Sequence, residues 1–342
     1  MIVANTLYVM TPGSRLSLDH DAVRVDRDEE PLHRFPLTAI GRIVVAGAVL
    51  VSTGLIERCG EDRRLIVWLD RHGRFKSRLA GSVEGGILLR VAHHEAARDD
   101  QRTISIARAI VGGKIANSSA LLRRAARDCD PSHQHAVKTG ADELAMSAVD
   151  TDQVTTLDAL RGHEGVAARR YFSAFHLLLP EDQGALAPVG RTRRPPRDPT
   201  NALLGYLYTL LRVECISALE AAGLDPDLGF LHAVRPGRPS LALDLMEEFR
   251  APIADRVALT LLRRRELTPS DFETRPGGAV SMVDDARRKV VAAYHERRDT
   301  PVEHELAAEP VTLAVAVHLQ ALLLARTIRG DLDAYPPFMW RA

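Results

Sequence analysis

The stretch ISIARAIVGGKI, residues 104–115, repeats its apolar side chains at helical spacing. Ile104, Ala107, Ile110, Val111 and Ile115 recur every three or four residues, so they share one face of an α-helix. Later segments keep this period. The predicted helices there cover residues 157–179, 202–221, 241–265, 281–298 and 309–328. We therefore expect the chain after about residue 94 to be mostly helical.

The residues before this stretch follow a different pattern. Short apolar pieces alternate with period two between residues 5 and 80, and turn signals such as Pro12-Gly13 separate them. One short helix at about 49–57 interrupts the strands, and Gly81 to Gly86 is a plausible hinge. The sequence thus predicts an α+β protein. It has a small N-terminal β domain, residues 1–85, and a larger all-α domain, residues 86–342.

Composition narrows the class of protein. The 342 residues suit about two domains, and Lys+Arg balance Asp+Glu at 45 each, so net charge does not indicate a ligand. The three cysteines are scattered and form no CxxC pair, which argues against disulfides and zinc knuckles. No apolar run reaches the roughly 18 residues of a membrane span, and the first residues lack a secretory signal. We expect a cytoplasmic protein without membrane contact.

A carboxylate interrupts the apolar stripe of the helix at 157–179. The stripe places Glu164 between Leu160 and Ala168, at a position where leucine is the usual residue. A carboxylate on a core-facing stripe costs several kcal/mol unless it is paired or binds a cation. Two interpretations stay open: Glu164 is a metal ligand, or it forms an internal salt bridge with Arg169 or Arg170.

Two further segments carry the same kinds of group. His232 ends the run Gly229–His232, where a structural histidine is the more common case. Asp244 and Glu247 are three residues apart, so both lie on one helix face, although acidic residues also suit a helix N-terminus. Carboxylates with an imidazole suit Mg²⁺ or Mn²⁺ and do not fit a thiolate-rich zinc site. By spacing alone, the indication of a metal site is weak.

Arginines accompany all three segments. They are Arg161, Arg169 and Arg170 near Glu164, Arg235 and Arg238 after His232, and Arg250 after Glu247. More arginines occupy the Pro-rich loop at 188–199. Because a solvated surface does not explain arginines around every carboxylate segment, we predict contacts with DNA phosphates.

These segments together resemble the CRISPR-associated adaptation endonuclease (Cas-one) family. The motif-like runs, in family order, are RGHEG (161–165) with ARRYF (168–172), GFLH (229–232) and SLALDLME (240–247). DPTNALLGYLY (198–208) and KIAN (114–117) resemble two further family motifs, so the resemblance covers essentially the whole chain. AYPPF (334–338) loosely resembles subtype I-C.

The resemblance implies a site and an activity. Glu164, His232 and Glu247 would bind Mg²⁺ or Mn²⁺ and would be catalytic. Many family members have Asp at the position of Glu247, so a supporting role for Asp244 stays open. His163 is a candidate supporting group, although a solvated histidine is the commoner case.

The implied reaction is the insertion of new spacers into a CRISPR array. A DNA 3′-hydroxyl would attack a repeat phosphodiester, and water would replace it in hydrolysis. The implied partners are double-stranded DNA (spacer precursor and CRISPR repeat), a second copy in a homodimer through the β domain, and the small second adaptation protein (Cas-two). Two alternatives stay open: a catalytically silent DNA-binding scaffold, and an unrelated metal-dependent phosphodiesterase.

Overall fold

The structure, a computed structural model, describes residues 2–3, 6–27, 33–62, 64–70, 75–79, 86–180, 186, 195–305, 307 and 309–341. The chain divides into two compact units, Met1–Gly85 and Gly86–Ala342. Strands fill the first unit and helices dominate the second, which confirms the predicted α+β class. Residues 81–85 of the predicted hinge and residues 188–194 of the Pro-rich loop, with Arg191, Arg193 and Arg194, lie outside the described residues.

The described residues of the N-terminal unit form two sheets and one α-helix. Its strands are β1 (Ile2–Val3), β2 (Thr6–Val9), β3 (Arg15–Asp19), β4 (Ala22–Asp26), β5 (His33–Pro36), β6 (Arg42–Ala46), β7 (Leu50–Val51), β8 (Leu65–Leu69) and β9 (Phe75–Leu79). One sheet has the strand order β1-β2-β6-β8-β9, and the other has β5-β4-β3-β7. Helix α1 (Thr53–Glu61) begins after Ser52, whose hydroxyl accepts the Leu55 N–H. Leu7 and Leu16, one from each sheet, share a buried core with Leu55.

The second unit is built from helices. They are α2 (Ile87–Ala96), α3 (Asp100–Ala125), α4 (Pro131–Asp150), α5 (Leu157–His176), α6 (Pro199–Ala221), α7 (Ser240–Phe249), α8 (Arg256–Arg263), α9 (Asp284–Arg298) and α10 (Leu313–Arg329). Two small hairpins accompany them: β10 (Phe272–Thr274) with β11 (Val280–Met282), and β12 (Pro301–Val302) with β13 (Val311–Thr312). Helix α3 packs against α4, α5 and α7, while α6 packs against α7 and α10.

The sequence predicts a helix over 241–265 that Pro252 breaks or kinks, and the structure divides the helix there. Helix α7 ends at Phe249, a π-helical turn follows at Arg250–Asp255, and α8 begins at Arg256. The turn contains Pro252, which cannot donate a helical hydrogen bond and crowds the preceding turn. π-turns inside helices often lie at functional sites. This one packs against both α3 and α6.

Helix α6 begins at a capping motif and runs through the core. Asp198 accepts the Asn201 N–H at 2.8 Å, and Pro199 fills the first helical position, where no N–H is needed. The helix is long and apolar enough to cross a membrane, but 72% of its most apolar stretch is buried inside the protein. Such burial is typical of a core helix.

Candidate active site

Asp244 holds the segment that carries His232. This fully buried carboxylate accepts the backbone N–H groups of Phe230 at 2.6 Å, Leu231 at 3.0 Å and His232 at 2.9 Å. The imidazole Nδ1 of His232 lies 2.6 Å from Oδ1 of Asp244. Because an ionised carboxylate only accepts hydrogen bonds, Nδ1 carries a proton, and Nε2 is the nitrogen that can bind a cation. Asp244 therefore orients His232 and has no oxygen left for a metal.

Gly229 makes this close approach possible. A Cβ at this position would lie 2.7 Å from the Ser240 carbonyl carbon and 2.8 Å from Oδ2 of Asp244. The hydroxyl of Ser240 donates to the carbonyl of Ala233 at 3.0 Å, so the beginning of α7 also ties down the far side of His232. The GFLH run is therefore fixed against α7 by backbone contacts that no larger residue at 229 would allow.

Two carboxylates from different helices converge on Lys114 of α3. The Lys114 ammonium contacts Oε1 of Glu164 on α5 and lies 2.7 Å from Oε2 of Glu247 on α7. Nε2 of His232 lies 3.9 Å from the other oxygen of Glu247. The side chain of Glu247 is only 3% exposed, whereas that of Glu164 is 24% exposed. Glu164 and Glu247 thus share one cation, the Lys114 ammonium, and His232 lies beside the other oxygen of Glu247.

Lys114 is the residue of this cluster that the predicted site lacks. It follows Ile110 and Val111 by four and three residues, so it lies on the apolar stripe from which helix α3 was predicted. The reasoning that singled out Glu164, a charge on a core-facing stripe, applies equally to this lysine. Its presence in the KIAN run was a second signal.

The electrostatics of Glu247 explain how a buried carboxylate stays ionised. Burial alone would raise its pKa, but Arg250 and Lys114, with a smaller contribution from His232, lower the pKa to about 2. Nη2 of Arg250 lies 2.9 Å from Oε1 of Glu247. Glu247 therefore presents a full negative charge to the cluster at neutral pH.

Aromatic side chains hold Arg250 in place. Its guanidinium lies 4.7 Å from the ring centroid of Tyr208. The hydroxyls of Tyr208 and Tyr171 donate to the two oxygens of buried Asp255, at 2.6 and 2.8 Å. Arg250, with 15% of its side chain exposed, forms an ion pair with Glu247. Its contact with DNA stays a prediction.

The C-terminal segment, residues 335–340, contacts helices α3 and α7. Glu248, next to Glu247, accepts hydrogen bonds from the Tyr335 hydroxyl at 2.7 Å, the Phe338 N–H at 2.6 Å and the Gln320 amide at 3.0 Å. Burial raises the pKa of Glu248 to about 7, against the effect of these hydrogen bonds. Asn117 on α3 donates to the carbonyls of Glu248 and Phe338, both at 2.8 Å. The segment therefore links α3 to α7 just behind Lys114 and Glu247.

His163 lies apart from the carboxylate cluster. Its Nε2 contacts Ser147 Oγ at 3.1 Å, Ser147 O at 2.9 Å and Thr151 Oγ1 at 3.2 Å, at the end of α4. It therefore joins α5 to α4 and does not support the predicted ligands.

The predicted DNA-binding arginines differ in their surroundings. Arg161 donates from Nε and Nη2 to the Leu231 carbonyl, at 3.1 and 2.9 Å, and so braces the His232 segment. Arg169, Arg170 and Arg235 are exposed. Arg170 lies 3.6 Å from Glu143, a contact loose enough to exchange for a phosphate. Arg238 is half-buried in the turn before α7.

The cluster suits a hard divalent cation in its donor types. Two carboxylates and one imidazole nitrogen are ligands that Mg²⁺ and Mn²⁺ accept. In the described part of the chain, no three His, Cys, Asp or Glu side chains already form a group that could hold a metal ion. The Lys114 ammonium instead compensates Glu164 and Glu247. The two carboxylates are thus arranged around a cation position, and a metal would have to take the place of the ammonium.

Comparison with known proteins identifies relatives. The family model described as "CRISPR associated protein Cas1" matches residues 7–296. A "CRISPR-associated endonuclease Cas1 1" of Moorella thermoacetica is 47% identical over 341 residues, covering 99% of both chains. A "CRISPR-associated endonuclease Cas1 2" of Rhodospirillum rubrum is 44% identical and covers 98% of both chains.

Solved structures share the fold. A casposase bound to an integration product superposes with a TM-score of 0.85 at 20% identity, covering 98% of this chain and 94% of the casposase. A Cas6-RT-Cas1–Cas2 complex contains a chain that matches with a TM-score of 0.82 at 22% identity. The match covers 99% of this chain and 36% of that larger one. At such identities the likeness establishes the fold alone.

Proposed function

Because this chain belongs to the Cas1 family of CRISPR-associated proteins, we propose that it is a divalent-metal-dependent DNA endonuclease and integrase that inserts new spacers into CRISPR arrays. One observation carries the proposal. Glu164 and Glu247, from separate helices, converge on the ammonium of Lys114, and Nε2 of His232 lies 3.9 Å from Glu247. Such a convergence is costly for a protein that only needs to fold.

Glu164, His232 and Glu247 would hold Mg²⁺ or Mn²⁺. When bound, such an ion neutralises phosphate oxygens and favours departure of the leaving oxygen. The protein contributes rigidity. Asp244 fixes the imidazole so that Nε2 faces the cluster, and Arg250 holds Glu247 through an oxygen that Lys114 does not contact. Such outer contacts set the orientation and affinity of metal ligands.

The reaction is a phosphoryl transfer between DNA strands. The 3′-oxygen of an incoming end forms a bond to a repeat phosphorus, while the bond from that phosphorus to the neighbouring 3′-oxygen of the repeat breaks and that oxygen takes up a proton. Water in place of the 3′-hydroxyl gives hydrolysis. Exposed Arg169, Arg170 and Arg235 would hold the backbone of such an end near the cluster, since orientation makes the step effectively intramolecular.

The proposed partners follow from the relatives and from the first unit. A family relative occurs in a complex named for Cas1 and Cas2, and a protein of the same fold occurs with its integration product. We extend both kinds of partner to this chain: double-stranded DNA, and the small second adaptation protein. Residues 1–85 would form the homodimer interface and residues 86–342 the catalytic and DNA-binding domain. A cytoplasmic location and subtype I-C remain predictions.

The metal site can be tested by matched substitutions. Glu164→Gln, His232→Ala and Glu247→Gln should each abolish Mn²⁺-dependent cleavage of duplex DNA, while Glu296→Gln, at an exposed position of α9, should leave it unchanged. Circular dichroism should show the wild-type fold throughout. Full cleavage by any of the three site variants would contradict the ligand assignment. A wild-type protein that binds DNA but never cleaves it would favour the silent scaffold, and cleavage of RNA or small phosphodiesters alone would favour the unrelated phosphodiesterase.

A further inference from the structure

Lys114 lies at the carboxylate cluster although it belongs to no ligand set. Its side chain is only 12% exposed, and its ammonium contacts Glu164 and lies 2.7 Å from Oε2 of Glu247. A buried ion pair is weak evidence for a role in stability, because apolar residues in place of all its members are often as stable. The position of the ammonium between the two carboxylates therefore calls for another explanation.

The charges of the cluster balance in the structure. The ammonium of Lys114 faces both Glu164 and Glu247. The guanidinium of Arg250 lies 2.9 Å from the second oxygen of Glu247. A divalent ion held by the two carboxylates would leave both side-chain cations in excess, which is unfavourable in a largely buried place unless an anion joins them. The anion that the proposed reaction brings to this place is the scissile phosphodiester.

The ammonium of Lys114 has room to leave the carboxylates. A cleft of about 20 Å³ adjoins its side chain and is lined also by Ser118, Phe172 and Arg250. That volume suffices for a group of the size of water, and an ammonium is of similar size. The lysine stem is flexible, whereas the guanidinium of Arg250 is held over the ring of Tyr208. Lys114 is therefore the cation that can move, and Arg250 is the one that stays with Glu247.

We propose that Lys114 is a further catalytic residue, which a divalent ion displaces from Glu164 and Glu247 and which then contacts a non-bridging oxygen of the scissile phosphate. The inference rests on the proposed function. No bond to Lys114 forms or breaks: the ammonium keeps its protons and stabilises the negative charge on the phosphate oxygens in the transition state. Metal and DNA then bind cooperatively, because the ion frees the charge that the phosphate takes up.

The first experiment measures metal affinity in the absence of DNA. Lys114→Met and Lys114→Gln remove the competing charge, and Lys138→Met removes an exposed lysine of α4 as the matched control. Titration calorimetry with Mn²⁺ should give a Kd about tenfold lower for both Lys114 variants than for the wild type, since the ion no longer displaces an ammonium. The control should bind Mn²⁺ like the wild type. Unchanged or weaker binding by the Lys114 variants would overturn the proposal.

The second experiment measures cleavage by the same variants. At saturating Mn²⁺, single-turnover cleavage of a DNA duplex by the Lys114 variants should slow about 100-fold or more, the usual effect of removing one group that stabilises transition-state charge. A merely structural lysine would lower metal affinity and cleavage together. Wild-type cleavage by a variant that binds Mn²⁺ more tightly would overturn the catalytic role. A wild-type protein that binds Mn²⁺ but never cleaves DNA would instead refute the proposed function, and the calorimetry would still decide whether the ion displaces the lysine.

The displacement can also be followed in the wild-type protein. Besides Lys114 the chain contains only Lys76, Lys138 and Lys289, so ¹⁵N-labelled lysine gives few side-chain ammonium signals in NMR spectra. The signal of Lys114 is assigned by its absence from the spectrum of Lys114→Arg. Saturation with Mg²⁺ should shift or broaden this signal and leave the other lysines unchanged. A Lys114 signal that Mg²⁺ does not alter would show that the ammonium stays with the carboxylates, and would overturn the proposal.

Discussion

Replacing Asp244 with asparagine should both destabilise the protein and loosen His232. The carboxylate accepts four hydrogen bonds, three from backbone N–H groups and one from the imidazole. An asparagine keeps one acceptor oxygen and turns an amide group with two donors toward groups that also donate. At least two bonds are lost, and at about 1.5–3 kcal/mol for each bond to a charged acceptor the cost is roughly 3–6 kcal/mol. For a domain of this size that lowers Tm by roughly 10 °C.

The same variant should weaken metal binding. Changing a residue that orients a metal ligand costs about 10–100-fold in affinity, so titration calorimetry with Mn²⁺ should give a Kd raised by that factor. Asp285→Asn is the matched control, because Asp285 is 79% exposed and pairs only at the surface with Arg288. The free energy of unfolding of this control should stay within about 0.5 kcal/mol of the wild-type value. If Asp244→Asn had the Tm and the Mn²⁺ affinity of the wild type, the orienting role of Asp244 would be refuted.

Three other substitutions probe the cluster, its support and the first unit. Lys114→Met leaves Glu164 without its cation and Glu247 with Arg250 alone, so without metal the variant should lose about 3 kcal/mol of stability. Mn²⁺ should then raise its Tm by more than it raises that of the wild type, and equal gains would contradict the shared cation position. Gly113→Ala places a Cβ 2.8 Å from that of Pro337 and should lower the free energy of unfolding in urea by about 1–3 kcal/mol. Gly112→Ala, whose Cβ would lie 3.9 Å from its nearest neighbour, should not lower it. Similar results for both variants would show that the C-terminal segment moves aside without cost. Leu50→Lys, at an edge strand where Leu50 is 69% exposed, should shift the proposed dimer toward monomer in sedimentation velocity, and a wild type that is already monomeric at micromolar concentration would remove the dimer altogether.

Much of the fold was accessible from periodicity. The change from period two to period 3.6 separates the strands of the first unit from the helices of the second, because each period puts apolar side chains on one face of its element. Element ends were less accurate. The helix expected at 281–298 begins at Asp284, since Val280–Met282 pair with Phe272–Thr274 in a hairpin. The hairpin is local, and Pro276, Gly277 and Gly278 in its turn are the signal that the helical interpretation missed.

The site was predictable in part. Glu164 stood out because a charge interrupts an apolar stripe, and the spacing of Asp244 and Glu247 correctly puts both on the buried face of α7. The spacing alone could not show that the two carboxylates have different roles. Only the approach of the Gly229–His232 backbone, which Gly229 permits, makes Asp244 an acceptor for that segment and leaves Glu247 to the cation position. Contacts between segments far apart in sequence leave no local signature.

The transesterification itself is tested most directly by blocking the attacking group. Wild-type protein, its small partner and Mn²⁺ are incubated with a linear DNA duplex and a supercoiled plasmid that carries CRISPR repeats, and covalent joining is followed on denaturing gels. We expect duplexes with free 3′-hydroxyls to be joined, and duplexes ending in dideoxynucleotides to give no joined product while metal-dependent nicking of the plasmid continues. Equal amounts of joined product from blocked and unblocked ends would contradict attack by the 3′-hydroxyl.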